Sequence, residues 1–127
     1  MTIQHISAVT LAVQDMARAV AFYQAIGFEV LYGGAQATFT SFRLGDTFLN
    51  LILTPSYIGS WWGRVIFRVA QVDDLYAALI AKGMRPEQPR DGSWGERYFH
   101  IKDPDGHELS FAELLRRPPS RPERHQP

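Results

Sequence analysis

A shift of 56 positions lays the first half of this chain on the second: Leu11 falls on Phe67, Val13 on Val69, Tyr23 on Leu79 and Gly27 on Gly83. A single offset that aligns a strand, a helix and a stop glycine marks one supersecondary unit used twice. In the first copy, Ile6 to Val13 alternates apolar with small or polar residues, the period of a strand. Asp15 stands where a helix N-cap is needed, with a carboxylate able to accept from the first free backbone amides. Met16, Val20, Tyr23 and Ile26 follow at helical spacing, and Gly27 stops the helix. Phe28 to Tyr32 reads as a strand and Gly33-Gly34 as a turn. Thr38 to Leu44 and Thr47 to Thr54 read as strands joined by Gly45-Asp46, a tight hairpin signal.

The second copy keeps this order. Val65 to Val69 is a strand, Asp73 a cap, and LYAALIAK a helix with Leu75, Leu79 and Ile80 inward and Gly83 as its stop. A strand near Met84 is expected next, then a loop holding Pro86, Pro89 and Gly92. Arg97 to Lys102 and His107 to Ala112 are strands joined by Asp103-Pro104-Asp105-Gly106. Phe22, Leu79, Phe99 and Phe111 are core positions. Each βαβββ unit buries one sheet face on its helix and leaves the other open, so two units enclose a concave ligand cleft. The expected fold is α+β, two tandem βαβββ modules with curved mixed sheets around that cleft. Residues 1–115 form one domain, with module one at 3–54 and module two at 63–115. Residues 116–127, rich in Pro and Arg with almost nothing to bury, are expected to be disordered.

At 127 residues with 46% hydrophobic content, the chain can build a real core. Thirteen basic residues balance thirteen acidic ones, which leaves no field to gather nucleic acid or an anionic membrane. The absence of cysteine removes disulfides, thiolate zinc sites and a cysteine nucleophile. The opening MTIQHISAV does not read as a signal peptide, and no apolar run approaches the ~20 residues that span a bilayer. A cytoplasmic protein is expected.

Hairpin chemistry fixes register. With Gly106 in the left-handed conformation, Ile101 faces Leu109 and Phe99 faces Phe111 on the helix side. Tyr98, His100, Glu108, Ser110 and Ala112 then occupy the open face. A two-residue Gly45-Asp46 turn pairs Phe42 with Leu49 inward and Ser41 with Asn50 outward, flanked by Phe39, Arg43, Phe48 and Ile52. On the first strand of each module, Ala8 and Thr10, then Arg64, Ile66 and Arg68, lie on the open face.

The runs VQDMARAVAFYQAIGFEV and WGERYFHIKDPDGHELSF, set in this double repeat, resemble the vicinal oxygen chelate superfamily, which includes glyoxalase I, extradiol dioxygenases and bleomycin-resistance proteins. The resemblance covers about residues 5–115. It implies metal ligands, His or Glu, at open-face positions that fall here on Ala8, Asn50, Arg64 and Ser110. A methyl, an amide, a guanidinium and a hydroxyl make no such site. Only His100 among the four histidines looks inward: His125 is in the tail, His107 at a turn, and His5 outward of Ala8. His100 with Glu108 would give two ligands of a relocated metal site and would need a third.

Closest in look are the metal-less, bleomycin-resistance-like members. The resemblance to them implies a binding protein without cofactor, holding an aromatic or amphipathic small molecule, and a homodimer. The alternatives are a glyoxalase- or dioxygenase-type enzyme with that relocated metal, or a metal-free enzyme using Arg64 and His100 on an anionic substrate. The candidate ligand-binding residues are Phe39, Arg43, Asn50, Trp61, Trp62, Arg64, Arg68, Trp94, Tyr98, His100 and Ser110. Arg43, Arg64 and Arg68 could form a cationic wall, or could pair with carboxylates or reach solvent. Trp61 and Trp62 could stack on a ligand, fill a dimer interface or pack the linker down.

Overall fold

Asp15 adopts extended backbone and its Oδ1 accepts from the Arg18 N–H at 3.1 Å, which starts helix α1 (Met16–Ile26). The helix ends with Phe28 N–H on Tyr23 O at 3.0 Å and Gly27 N–H on Gln24 O at 3.0 Å, a Schellman stop. The same two bonds recur one repeat later, Met84 on Leu79 and Gly83 on Ile80, both at 3.0 Å, closing α2 (Val72–Ala81). The repeat therefore carries its caps as well as its apolar pattern.

The computed structural model describes residues 2–115, so the segment 116–127 expected to be disordered lies outside the described residues. These residues divide into two compact units: an N-terminal unit of 2–61 with Asp103–His107, and a C-terminal unit of 62–102 with 108–115. In the N-terminal unit, β1 (Ala8–Val13), β2 (Glu29–Tyr32), β3 (Phe39–Leu44) and β4 (Thr47–Leu53) form a sheet in the order β1-β4-β3-β2. In the C-terminal unit, β5 (Arg64–Arg68), β6 (Arg90–Asp91), β7 (Glu96–Lys102) and β8 (Glu108–Leu114) repeat it as β5-β8-β7-β6. The first strand runs parallel to its neighbour in each sheet, and the other pairs are antiparallel. No helix among the described residues is long and apolar enough to cross a membrane.

The registers match those the turns dictate: Phe42 opposite Leu49, Ser41 opposite Asn50, Phe99 opposite Phe111 and Ile101 opposite Leu109. In the N-terminal unit Leu11, Val13, Met16, Val20, Tyr23, Phe42, Leu49 and Leu51 are buried together, with Phe28 edge-on to both Tyr23 and Phe42. The C-terminal core holds Val72, Leu79, Phe99, Ile101, Leu109 and Phe111, with Phe67 stacked on Phe111.

Four expectations are corrected. Helix α2 is capped at Gln71, not Asp73, and the Gln71 side chain makes no capping bond. Glu113, far along the chain on β8, instead accepts the Val72 N–H at 2.9 Å. Ile80 is 46% exposed and Leu75 half-buried, because a helix starting at Val72 turns Val72 and Leu79 to the sheet. No strand forms near Met84, whose N–H closes the helix. The sheet's fourth strand is the two-residue β6, since Pro89, lacking an N–H, breaks the ladder after Glu87 N–H meets His100 O at 2.9 Å. Phe22 is half-buried rather than core.

Candidate functional site

The outward face of the C-terminal sheet is built by alternation. β5 contributes Arg64 and Ile66, β8 contributes Ser110 and Ala112, and β7 contributes Glu96, Tyr98 and His100. With Trp94 from the preceding loop, these residues line a cavity of about 70 Å³. Its floor is an aromatic row: Trp94 stacks on Tyr98 (centroids 5.4 Å apart, planes 25° apart), and Tyr98 lies 5.2 Å from His100. Arg90 covers the Tyr98 ring at 5.3 Å and its Nε donates to the Tyr98 hydroxyl at 3.1 Å.

Charge in this face is paired. Arg64 donates Nε and Nη2 to Glu108 Oε2 at 3.1 and 2.9 Å, and Arg68 Nη2 donates to Glu96 Oε2 at 2.7 Å. The cationic wall is thus not what Arg64 and Arg68 form: both are neutralised across the sheet, while Arg43 is exposed on the N-terminal unit. His100 Nδ1 sits 3.9 Å from Glu108 Oε2, too far to bond, and is shielded from solvent without a hydrogen-bond partner among the described residues.

Burial, and then the nearby Arg64 cation, push the His100 imidazole below its ordinary pKa of 6.5. The ring is therefore neutral at neutral pH. In the unfolded chain it binds its proton more readily, so folding stability should decline as pH drops below 6.5 through the lower folded value. His100→Gln is expected to flatten that decline in urea melts at pH 7.5 and 5, and equal slopes in the two proteins would rule the shift out.

Of the candidate residues, Arg64, Trp94, Tyr98, His100 and Ser110 meet at this cavity, with Arg68 joined to it through Glu96. Phe39, Arg43, Asn50 and Trp61 belong to the N-terminal unit. There Asn50 Nδ2 donates to Thr10 Oγ1 at 3.3 Å, and Phe39 lies beside Tyr32. Trp62 opens the C-terminal unit, outside the cavity lining, and both connector tryptophans are exposed, Trp61 at 69% and Trp62 at 46%. Glu96 is the lining residue that sequence reasoning missed. Its signal was present: it stands two residues before Tyr98 and four before His100, so β7 needed only one more residue at its start.

The resemblance implies a divalent cation held at four carried-over positions, and their side chains decide whether one fits. Ala8 offers a methyl, Asn50 an amide engaged with Thr10, Arg64 a guanidinium bound to Glu108, and Ser110 a neutral hydroxyl. These residues do not fit a metal. Among the described residues no three His, Asp or Glu side chains stand close enough to hold one, and Glu108, the other half of the relocated pair, already accepts from Arg64.

A sheet face of this kind, duplicated by an internal repeat, is the property of a recognisable protein class. The chain belongs to the Glyoxalase/Bleomycin resistance protein/Dioxygenase superfamily, whose family model matches residues 2–111. It is similar to TnmS3, an antibiotic binding protein from Streptomyces sp. CB03234, with 26% identity, 90% of this chain and 98% of that chain covered, and a TM-score of 0.75. It is also similar to a bleomycin-binding protein complexed with bleomycin, at 21% identity, coverage of 87% and 98%, and a TM-score of 0.70. Lactoylglutathione lyase from Agrobacterium tumefaciens has 20% identity, coverage of 89% and 96%, and a TM-score of 0.74. The last two likenesses are statements of fold. No curated protein matches the chain.

Proposed function

We propose that this chain is a small-molecule-binding protein that holds an aromatic or amphipathic ligand without a metal. The observation that carries the reading is the aromatic row Trp94, Tyr98 and His100 facing a cavity whose lining arginine, Arg64, and lining carboxylate, Glu96, are each already paired with an opposite charge. Such a surface gains by covering a flat ring and by one or two hydrogen bonds at Ser110 or His100. It offers no unspent charge, so the ring portion of the ligand is uncharged. A charged group would have to break an ion pair that leaves its partner unsatisfied. Likeness to TnmS3, an antibiotic binding protein, supports a small-molecule ligand.

At about 70 Å³ the cavity is too small to enclose a drug-sized ligand. Drug-sized sites take roughly 300 Å³ or more. A ligand of that size therefore needs a second surface, which we assign to a homodimer.

Thermal shift against 2-naphthol, bleomycin and a set of flat aromatic antibiotics tests the reading. At a free concentration a hundredfold above Kd, a true ligand stabilises by about 2.7 kcal/mol. That gain should survive EDTA and be lost in Tyr98→Ala. A melting temperature unmoved by every compound overturns the binding reading. Stabilisation that EDTA abolishes, with stoichiometric metal lost on His100→Ala, would overturn metal independence and favour the relocated-metal reading instead.

A further inference from the structure

Glu96 is a carboxylate taken almost entirely out of water, at 7% exposure, on a face that opens to a cavity. Burying such a charge is costly unless both oxygens are matched. Both are: Oε2 accepts from Arg68 Nη2 at 2.7 Å and Oε1 accepts from the Trp94 indole N–H at 2.8 Å. The Arg68 bond ties the carboxylate to β5, across the intervening strand β8. The other bond reaches into the loop that precedes β7.

That loop is shaped to receive the indole. A Cβ on Gly92 would meet three Trp94 ring atoms at 2.5, 2.5 and 2.7 Å, so the ring lies where only a glycine leaves room. Gly92 N–H donates to Glu96 O at 2.7 Å, which draws the loop back on the start of the strand. Tyr98 supplies the opposite contact, its ring 5.4 Å from the indole. Stacking alone leaves an indole free to slide and turn, whereas a bond to its one N–H fixes rotation in the plane.

We propose that Glu96 is a positioning residue that locks Trp94 against Tyr98 and so presets the aromatic wall of the site. Its consequence for affinity rests on the binding function proposed above; its consequence for Trp94 does not. A preset ring spares the ligand the ordering of a rotamer-rich side chain. Glu96→Gln keeps a carbonyl oxygen for the indole N–H, while Glu96→Ala removes it.

The test uses the full chain carrying Trp61→Phe and Trp62→Phe, in which Trp94 is the remaining indole. Without any ligand, Glu96→Ala is expected to cut the near-UV circular dichroism of the Trp94–Tyr98 pair by about half and to raise acrylamide quenching about twofold. Glu96→Gln should stay close to the parent. In that Trp61→Phe, Trp62→Phe parent, amide NMR should show an indole N–H that exchanges at least about tenfold slower than free tryptophan, a reading independent of whether any Glu96 variant folds. An unprotected indole N–H, or a folded Glu96→Ala with parental dichroism and quenching, overturns the proposal. Binding of 2-naphthol should weaken about tenfold in Glu96→Ala and recover in Glu96→Gln. If 2-naphthol and the wider ligand set fail to bind the parent, the binding function falls while the Trp94 spectra still decide the role of Glu96.

Discussion

Replacing Asp103 by alanine is expected to cost about 3 kcal/mol of folding stability, because it strands several buried donors at once. Asp103 is buried in the N-terminal unit beside the phenol of Tyr23, which is fully buried and donates to Asp103 Oδ2 at 2.7 Å. Asp103 Oδ1 accepts the backbone N–H groups of Asp105 and His107, each at 2.9 Å. Around this centre, His107 Nε2 contacts Ala12 O at 2.8 Å, the His107 ring packs on Tyr57, and Asp105 Oδ1 accepts the Gln14 N–H at 2.9 Å. A turn that looks like a surface connector is thus a polar plug in the N-terminal unit. Tyr23→Phe leaves one carboxylate oxygen unmatched and should cost less than Asp103→Ala. The double variant should cost less than the sum, since the phenylalanine ring no longer carries a hydroxyl to strand.

The same carboxylate sets a pH dependence. Burial raises the Asp103 pKa above its ordinary 3.8, although the Tyr23 hydrogen bond pulls the other way. The folded chain therefore holds the Asp103 proton more firmly than the unfolded one. This contribution to stability is complete below 3.8 and is lost as pH rises through the elevated folded value. Asp103→Asn keeps an oxygen for the two backbone N–H groups and removes the titration. Relative to the parent, it should become more favourable between pH 4 and 7. Urea melts at these two pH values decide it. A loss under 1 kcal/mol for Asp103→Ala would mean that the buried hydrogen bonds do not form.

Why did the sequence disclose the registers of both sheets but not this plug? Register follows from local chemistry. Gly45-Asp46 and Gly106 dictate turns, and a period of two then places Phe42, Leu49, Ile101 and Leu109 without knowledge of anything distant. The failures all involve partners remote in sequence. Asp73 is a better cap by chemistry than Gln71, but Glu113 on β8 satisfies the Val72 N–H, so the helix starts earlier. Tyr23 reads as an apolar helix position because its repeat partner is Leu79, yet its hydroxyl meets an aspartate 80 residues on. Met84 was ambiguous for another reason: an apolar residue after a stop glycine serves equally as a strand start or as the last donor of a Schellman stop.

The candidate site divides the same way. Tyr98, His100 and Ser110 share a face by alternation, which is legible. That Arg64 and Arg68 would each find a glutamate was open from the sequence, since an arginine on an open sheet face can equally reach solvent. Periodicity starts β7 at Arg97, one residue later than its true start at Glu96, because alternation alone does not fix where a strand begins. The fit of Trp94 over Gly92 is a relation between residues two apart, but it depends on a side-chain direction that no pattern encodes.

Gly33→Ala is expected to destabilise the chain by about 3–4 kcal/mol, roughly three to four times the loss at an unobstructed turn glycine. Gly33 has φ +87, a conformation that costs a residue with a Cβ roughly 1–2 kcal/mol in itself. A Cβ there would also meet Phe39 O at 2.2 Å, and Thr40 Cα and Oγ1 at 2.9 Å. Two of these three atoms are backbone of β3, so the collision cannot be relieved by a side-chain rotation. Thr40 is itself fully buried, and its Oγ1 accepts the Gly34 N–H at 3.0 Å, which pins the turn to the strand. The neighbouring register shift between Val30 and Tyr32 shows where β2 bends to bring Gly33 so close. Gly45→Ala is the matched control, with φ +56 and open space around a Cβ, and it should lose only about 1 kcal/mol. The difference between the two variants in urea melts isolates the steric contribution. If Gly33→Ala proves no worse than Gly45→Ala, β2 does not pack its turn against β3 as described, and the placement of Phe39 and Tyr32 along that edge fails with it.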